Sequence, residues 1–235
     1  MTLIPKIGHW EVFATILLYG NFKSWYSLFF ELLFTRMKMT NLIVDEPLNG
    51  TFIRLENLSE HHFDGLNEIV NEYGERIFVH THLGGTFEEY FERALASRCP
   101  RTHAPFVLRD QVTGNFIGMS RLFSEAIQHR ICEIGYTWYT PNAWGGPTNP
   151  EAKFLLMQHA FETCGLLRVQ YSTDLKNLRS QAAIKKLGAK AEGVLRRHRI
   201  LPDGTHRDTP IFSIIDNEWP DVRRGLLQRL EVYTR

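Results

Sequence analysis

Between Glu133 and Ala189 the chain alternates extended and helical patterns in an order that few folds accommodate. Glu133-Ile-Gly-Tyr-Thr-Trp-Tyr139 reads as a strand, and Trp144-Gly145-Gly146-Pro147-Thr148 as a tight loop. A helix then opens at Asn149-Pro150-Glu151, with Asn149 suited to the N-cap and Pro150 to the first helical position. Leu167 to Thr173 forms a second strand, and Asn177-Leu-Arg-Ser180 leads a second helix that stops at Gly188. Two strands joined through a helix make a parallel step.

The flanking sequence supplies antiparallel elements. Thr51 to Leu55 alternates as a first strand after the Asn49-Gly50 turn. Ser59 caps a helix to about Glu72 whose buried stripe is Phe63, Leu66, Ile69 and Val70. Thr86-Phe-Glu-Glu89 has capping-box spacing and opens a helix that turns Phe87, Tyr90, Phe91 and Leu95 inward. Phe106 to Asp110 and Asn115 to Met119 flank a Gly-containing turn, and a further strand reaches about Ser124. Glu192 to Leu201 and Arg207 to Ile215 form a last hairpin, and Asp221 to Tyr233 a closing helix. The expected fold is one mixed α/β domain over residues 41–235, its twisted sheet mainly antiparallel with a central parallel pair and flanked by helices.

Residues 1–40 form an apolar extension outside that domain. Trp10 to Phe34 is rich in Leu, Phe, Tyr and Trp, but Glu11, Lys23 and Glu31 interrupt it. Its longest uncharged run, Val12 to Phe22, is 11 residues, against about 20 for a spanning helix. Membrane-surface contact, docking on the domain or a partner, and sequence upstream of the true start (Met37 or Met39) all stay open.

The net charge of +1, from 27 basic and 26 acidic residues, excludes a strongly basic nucleic-acid binder. Cys99, Cys132 and Cys164 are odd in number and scattered, which argues against a disulfide framework and for a reducing, cytoplasmic setting. His61-His62 and His80-x-His82 lack a second ligand pair at a metal-binding spacing, so no metal is expected.

The order of elements, with the run Asn-Leu-Arg-Ser180…Lys-Leu-Gly-Ala189…Glu192-Gly-Val-Leu-Arg196, resembles the GNAT N-acetyltransferases, most closely their RimJ/RimL-like branch. The resemblance covers about Thr51 to Trp219 and implies an acetyl-CoA-dependent N-acetyltransferase acting on a protein N-terminus or small amine, often as a homodimer. The rival is a non-catalytic acyl-CoA-binding or interaction module of the same fold.

Chemistry and resemblance together nominate the site. Glycines at 145 and 146 let main chain approach a pyrophosphate, and free amides at the following helix tip suit its charge. Gly145, Gly146, Thr148 and Asn149 are the candidates there, with Lys153, Arg179 or Lys185 as compensating cations. Pro147 and Pro150 remove two amides, and Glu151 places a negative charge in the first turn. A bulge at Gly135 would part the strands and leave Thr137, Trp138 and Tyr139 to bind the pantetheine arm, the amide of Trp138 or Tyr139 polarising the thioester. By resemblance Asn177 hydrogen-bonds that arm and Ser180 protonates the leaving thiolate; both could instead serve as caps. Ile184 stands where many members carry Tyr. Glu133, amid Cys132, Ile134 and Tyr136, is the candidate base, its pKa raised if the strand is central.

Overall fold

The computed structural model describes residues 41–78, 84–201 and 203–234. The chain divides into two units, residues 1–39 and 40–235. The first unit lies outside the described residues, as do His80 and His82, so the readings for residues 10–34 and for that histidine pair receive no structural account.

Eight strands form one sheet: β1 (Leu48–Asn49), β2 (Ile53–Asn57), β3 (His103–Asp110), β4 (Phe116–Phe123), β5 (Ile131–Tyr139), β6 (Arg168–Ser172), β7 (Lys190–Ile200) and β8 (His206–Ile215). Their order is 1-2-3-4-5-6-8-7. All neighbours run antiparallel except β5 and β6. This is the mainly antiparallel sheet with a central parallel pair that the sequence pattern implies.

Helices cover both faces. α1 (Phe63–Ile77) and α2 (Phe87–Ala96) close one core, in which Leu66, Phe87, Tyr90 and Phe91 meet Val107, Met119 and Trp138. α3 (Thr148–Gln158) and α5 (Trp219–Glu231) close the other with Leu55, Phe106, Leu108, Ile134 and Tyr171. The short α4 (Leu178–Lys185) adds Ile184 to this second core. No helix among the described residues is long and apolar enough to cross a membrane.

Local chemistry explains several boundaries. The Thr86 capping box forms: Glu89 N donates to Thr86 Oγ1 (3.2 Å) and Thr86 N to Glu89 Oε2 (2.9 Å). Ser59 heads a short 3₁₀ turn, Glu60–His62, and α1 then runs past Glu72 to Ile77. Gly74 costs about 1 kcal/mol inside a helix, and burial of Ile77 anchors the final turn.

The first long strand begins at Ile53, not Thr51, because Glu151 captures the preceding main chain. Its carboxylate accepts the amides of Thr51 (2.7 Å), Phe52 (2.8 Å) and Ile53 (2.8 Å). Glu151 is 3% exposed. Its charge is therefore spent on the start of β2 and does not face the loop, contrary to the sequence expectation. A Cβ at Gly50 would collide with this carboxylate, so a side chain at residue 50 would displace it.

α3 also begins earlier than expected. Pro147 is already helical (φ −73°, ψ −17°) and its carbonyl accepts the Glu151 amide at 2.9 Å. Thr148 is thus the first helical residue, and Asn149 lies inside the helix, not at its cap.

Glu151→Gln would turn an acceptor of three buried amides partly into a donor facing them. We predict a loss of about 2–4 kcal/mol, read as a lower urea midpoint. An unchanged midpoint would show that β2 does not need this cap.

Candidate active site

β5 and β6 pair over only three positions, Ile131↔Arg168, Cys132↔Val169 and Glu133↔Gln170. Beyond them β5 continues to Tyr139 with no strand partner on that side among the described residues. On its other side, β5 stays paired with β4, but with a shift between Met119 and Arg121. Two β5 residues, Tyr136 and Thr137, stand opposite Ser120 alone, and Tyr136 takes φ +51°. The bulge is therefore centred on Tyr136, one residue beyond the expected Gly135. Cys132 and Ile134 face the α3 core, whereas Trp138 lies in the α1/α2 core, because the extra residue reverses the alternation.

The bulge also sets main-chain direction. Thr140 N donates to Ile117 O at 2.9 Å, so alternation along the antiparallel ladder turns Trp138 toward β4 as well. Thr137 and Tyr139 then direct their amides to the open side. Of the two amides expected for the thioester oxygen, Tyr139 has the right direction and Trp138 does not. The Tyr139 carbonyl is occupied, accepting from Trp144 Nε1 at 3.1 Å, and its hydroxyl donates to Asn149 Oδ1 at 3.1 Å.

Trp144 ties the loop to its surroundings, a role that the sequence reading missed. The Arg179 guanidinium lies 4.5 Å from its ring centroid, which brings the first turn of α4 beside Gly145 and Gly146. Gly145 adopts φ +76°, and a Cβ at either glycine would meet nothing within 4 Å. Among the described residues, the amides of Gly145, Gly146, Thr148 and Asn149 have no acceptor, while that of Glu151 is used by Pro147. Open space, unpaired amides and a helix N-terminus together fit a pyrophosphate.

On α4, Asn177 is the N-cap: its Oδ1 accepts the Ser180 amide at 3.0 Å. Capping uses only one end of the amide. Among the described residues, Asn177 Nδ2 and Ser180 Oγ have no partner, so both remain available to a ligand. Lys185 is exposed in the last turn, about 12 Å along the helix axis from Asn177. The cations nearest the Trp144 ring are Arg179 and, at 5.9 Å from its centroid, Arg76 of α1.

Lys153 is not there either. It turns inward beneath the bulge, donating to Thr137 Oγ1 (2.5 Å) and Ser120 Oγ (3.2 Å). Burial, with no carboxylate partner among the described residues, pushes its pKa down to about 7. Thr137 therefore contributes its side chain to this inner contact and only main chain to the groove.

Glu133 lies on the α1/α2 face of β5, half-buried. Gln170 Nε2 (3.0 Å) and Ser172 Oγ donate to its carboxylate, and the cationic Arg207 of β8 lies near enough to feel both Glu133 and Asp174. Burial pushes the thiols of Cys132 upward and of Cys164 up to about 12, so neither is a ready nucleophile. Glu56, His61 and His62 also cluster with metal-like spacing. Glu56, however, is already paired with Arg54 and Arg109.

The model of the acetyltransferase (GNAT) domain matches residues 53–190. The uncharacterized N-acetyltransferase YoaA of Bacillus subtilis (strain 168) is 31% identical over 103 residues, covering 44% of this chain and 57% of YoaA. A GCN5-related N-acetyltransferase from Brucella melitensis superposes with a TM-score of 0.73 at 27% identity, covering 83% of this chain and 90% of that one. Mycobacterium smegmatis RimJ, solved with CoA-disulfide, has a TM-score of 0.65 at 20% identity, covering 75% and 88%, a likeness of fold.

Lys153 makes a distinctive stability prediction. Its folded pKa lies below its unfolded value, so the unfolded chain binds more protons between pH 7 and 10.5, and stability must rise with pH across that window. Lys153→Met should flatten this rise and stabilise the protein near pH 6 by about 1–3 kcal/mol. Denaturant titrations at pH 6, 8 and 10 test it; an unaltered slope would refute an uncompensated charge.

Proposed function

The chain belongs to the GNAT acetyltransferase domain family, and from that membership we propose that it is an acetyl-CoA-dependent N-acetyltransferase acting on a primary amine. The observation that carries the proposal is the parting of β5 from β6 after Glu133 and Gln170, directly ahead of the open glycine loop. The gap leaves the main-chain amides of Thr137 and Tyr139 to pair with a pantetheine arm, the Tyr139 carbonyl being held by Trp144.

In this reading Gly145, Gly146, Thr148 and Asn149 hold the pyrophosphate through main-chain amides. Asn177 Nδ2 donates to the arm while its Oδ1 keeps α4 capped. The amide of Tyr139 stabilises the negative charge that develops on the thioester oxygen. Glu133, held by Gln170 and Ser172, accepts a proton from the attacking amine directly or through water. The new N–C bond forms as the C–S bond breaks, and in this reading Ser180 Oγ gives its proton to the thiolate. The likeness to RimJ favours the RimJ/RimL-like branch; a protein N-terminus and a small amine are the acceptor classes.

A non-catalytic CoA-binding module would keep the loop and Asn177 but have no use for an ordered carboxylate at residue 133. Thiol release from acetyl-CoA with a mixed amine panel separates the two. We expect Glu133→Gln to lower kcat by about 10²–10⁴-fold while acetyl-CoA affinity is retained. Tight CoA binding with no turnover on any amine would favour the module.

Two substitutions test the cofactor groove. Asn177→Ala should weaken acetyl-CoA binding about tenfold and cost about 1 kcal/mol of stability through loss of the cap. Gly146→Leu should leave the thermal midpoint within a few degrees, since its Cβ meets open space, yet sharply reduce CoA affinity by filling the phosphate position. Calorimetric titration with CoA reads both, and unaltered affinity in both variants would remove the proposed groove.

A further inference from the structure

Beside Glu133, on the α1/α2 face of the sheet, a group of buried donors has no carboxylate or carbonyl acceptor among the described residues. Arg121 of β4 is 5% exposed and pairs across the ladder with Gly135, two residues along from Glu133. Its guanidinium lies between two aromatic rings, 4.8 Å from the centroid of Tyr90 and 4.3 Å from that of Tyr136. The rings stabilise the faces of the cation but do nothing for the N–H groups in its plane. Among the described residues no carboxylate pairs with Arg121, and its side-chain Nε is fully buried with no hydrogen-bond partner. Tyr90 Oη and Trp138 Nε1 are likewise buried without a partner of full hydrogen-bond geometry, although Arg121 and Trp138 both lie close enough to the Tyr90 oxygen to favour its ionised form. A buried charge beside two idle donors is costly unless something accepts from all three.

We propose that Arg121, Tyr90 and Trp138 form an anion-binding subsite for the acceptor, and that the acceptor is a small amine carrying a carboxylate, of the free amino-acid class. This deepens the acetyl-transfer reading and rests on it. The planar guanidinium fork matches a carboxylate with two parallel hydrogen bonds. Successive same-face residues on a strand are about 7 Å apart, so a carboxylate on Arg121 places an amine a few bonds away over Glu133. Tyr136, brought outward by its left-handed backbone, covers the subsite from the solvent side; it is 45% exposed. The depth of the donors favours a compact molecule. A protein N-terminus would bring a neutral peptide carbonyl to the same place.

The acetyl group passes from the CoA sulfur to the amine nitrogen; one amine proton leaves to Glu133 and the thiolate is protonated to free CoA. The carboxylate is unchanged and serves only to orient the acceptor.

The test compares free α-amino acids with their carboxamides, and with short peptides amidated at the C-terminus, in a thiol-release assay on the full chain with acetyl-CoA. The expected result is a kcat/KM at least about tenfold higher for the free acids, mostly through KM. Arg121→Gln should bring that ratio toward one, with CoA affinity unchanged by calorimetry. Equal turnover of acids and amides, or a preference for peptides, would overturn the subsite while acetyl transfer stands. Turnover of no amine by a chain that still binds CoA would overturn both. Should Arg121→Gln fail to fold, the acid-to-amide ratio of the unaltered protein decides alone.

Discussion

The proposed acetyl-transfer site depends on where β5 stops pairing with β6. A parallel pair that continued to Tyr139 would satisfy its main chain internally and leave no place for an extended ligand. Instead, pairing ends at Glu133 and Gln170, and the Tyr136 bulge redirects β5 while β4 still supports it from the other side. Unpaired strand edges are normally avoided in folded proteins. Here the unpaired stretch of β5 lies directly ahead of the Gly145-Gly146 loop and the first turn of α3, whose amides also lack acceptors among the described residues. In the proposed reading these two sets of amides serve a ligand with an amide-bearing arm and a phosphate end.

The supports of this site are polar and buried, which makes them specific. Glu151 uses its charge to fix the start of β2 against α3. Lys153 holds Thr137 and Ser120 beneath the bulge at the expense of a buried ammonium. Trp144 joins the β5 carbonyl of Tyr139 to Arg179 of α4. Each of these residues bridges elements distant in sequence.

Much of this was legible from residue order. The capping box at Thr86, the hairpin around Gln111 to Gly114, the Asn177 cap and the crossover step all rest on local chemistry, and local chemistry is what a sequence records directly. The boundaries that moved did so for long-range reasons: β2 starts late because of a carboxylate roughly a hundred residues away, and α1 runs past Gly74 because Ile77 is buried. The bulge fell at Tyr136, not Gly135, because a non-glycine residue can hold a left-handed backbone when its ring packs on Arg121.

The amino-acid sequence by itself determined the alternation of elements, the glycine loop before a helix and the polar pair Asn177 and Ser180, since periodicity, capping and turn chemistry act over a few residues. Only the tertiary structure decided which way each polar group points. Lys153 and Glu151 follow one another closely after the glycine loop, yet both turn inward, while Arg179 reaches the loop from a different helix. Arg121 reads in sequence as one more strand residue and acquires meaning only when α2 and the β5 bulge enclose it. The physical reason is that burial and partner choice depend on packing between distant segments, which no local pattern encodes.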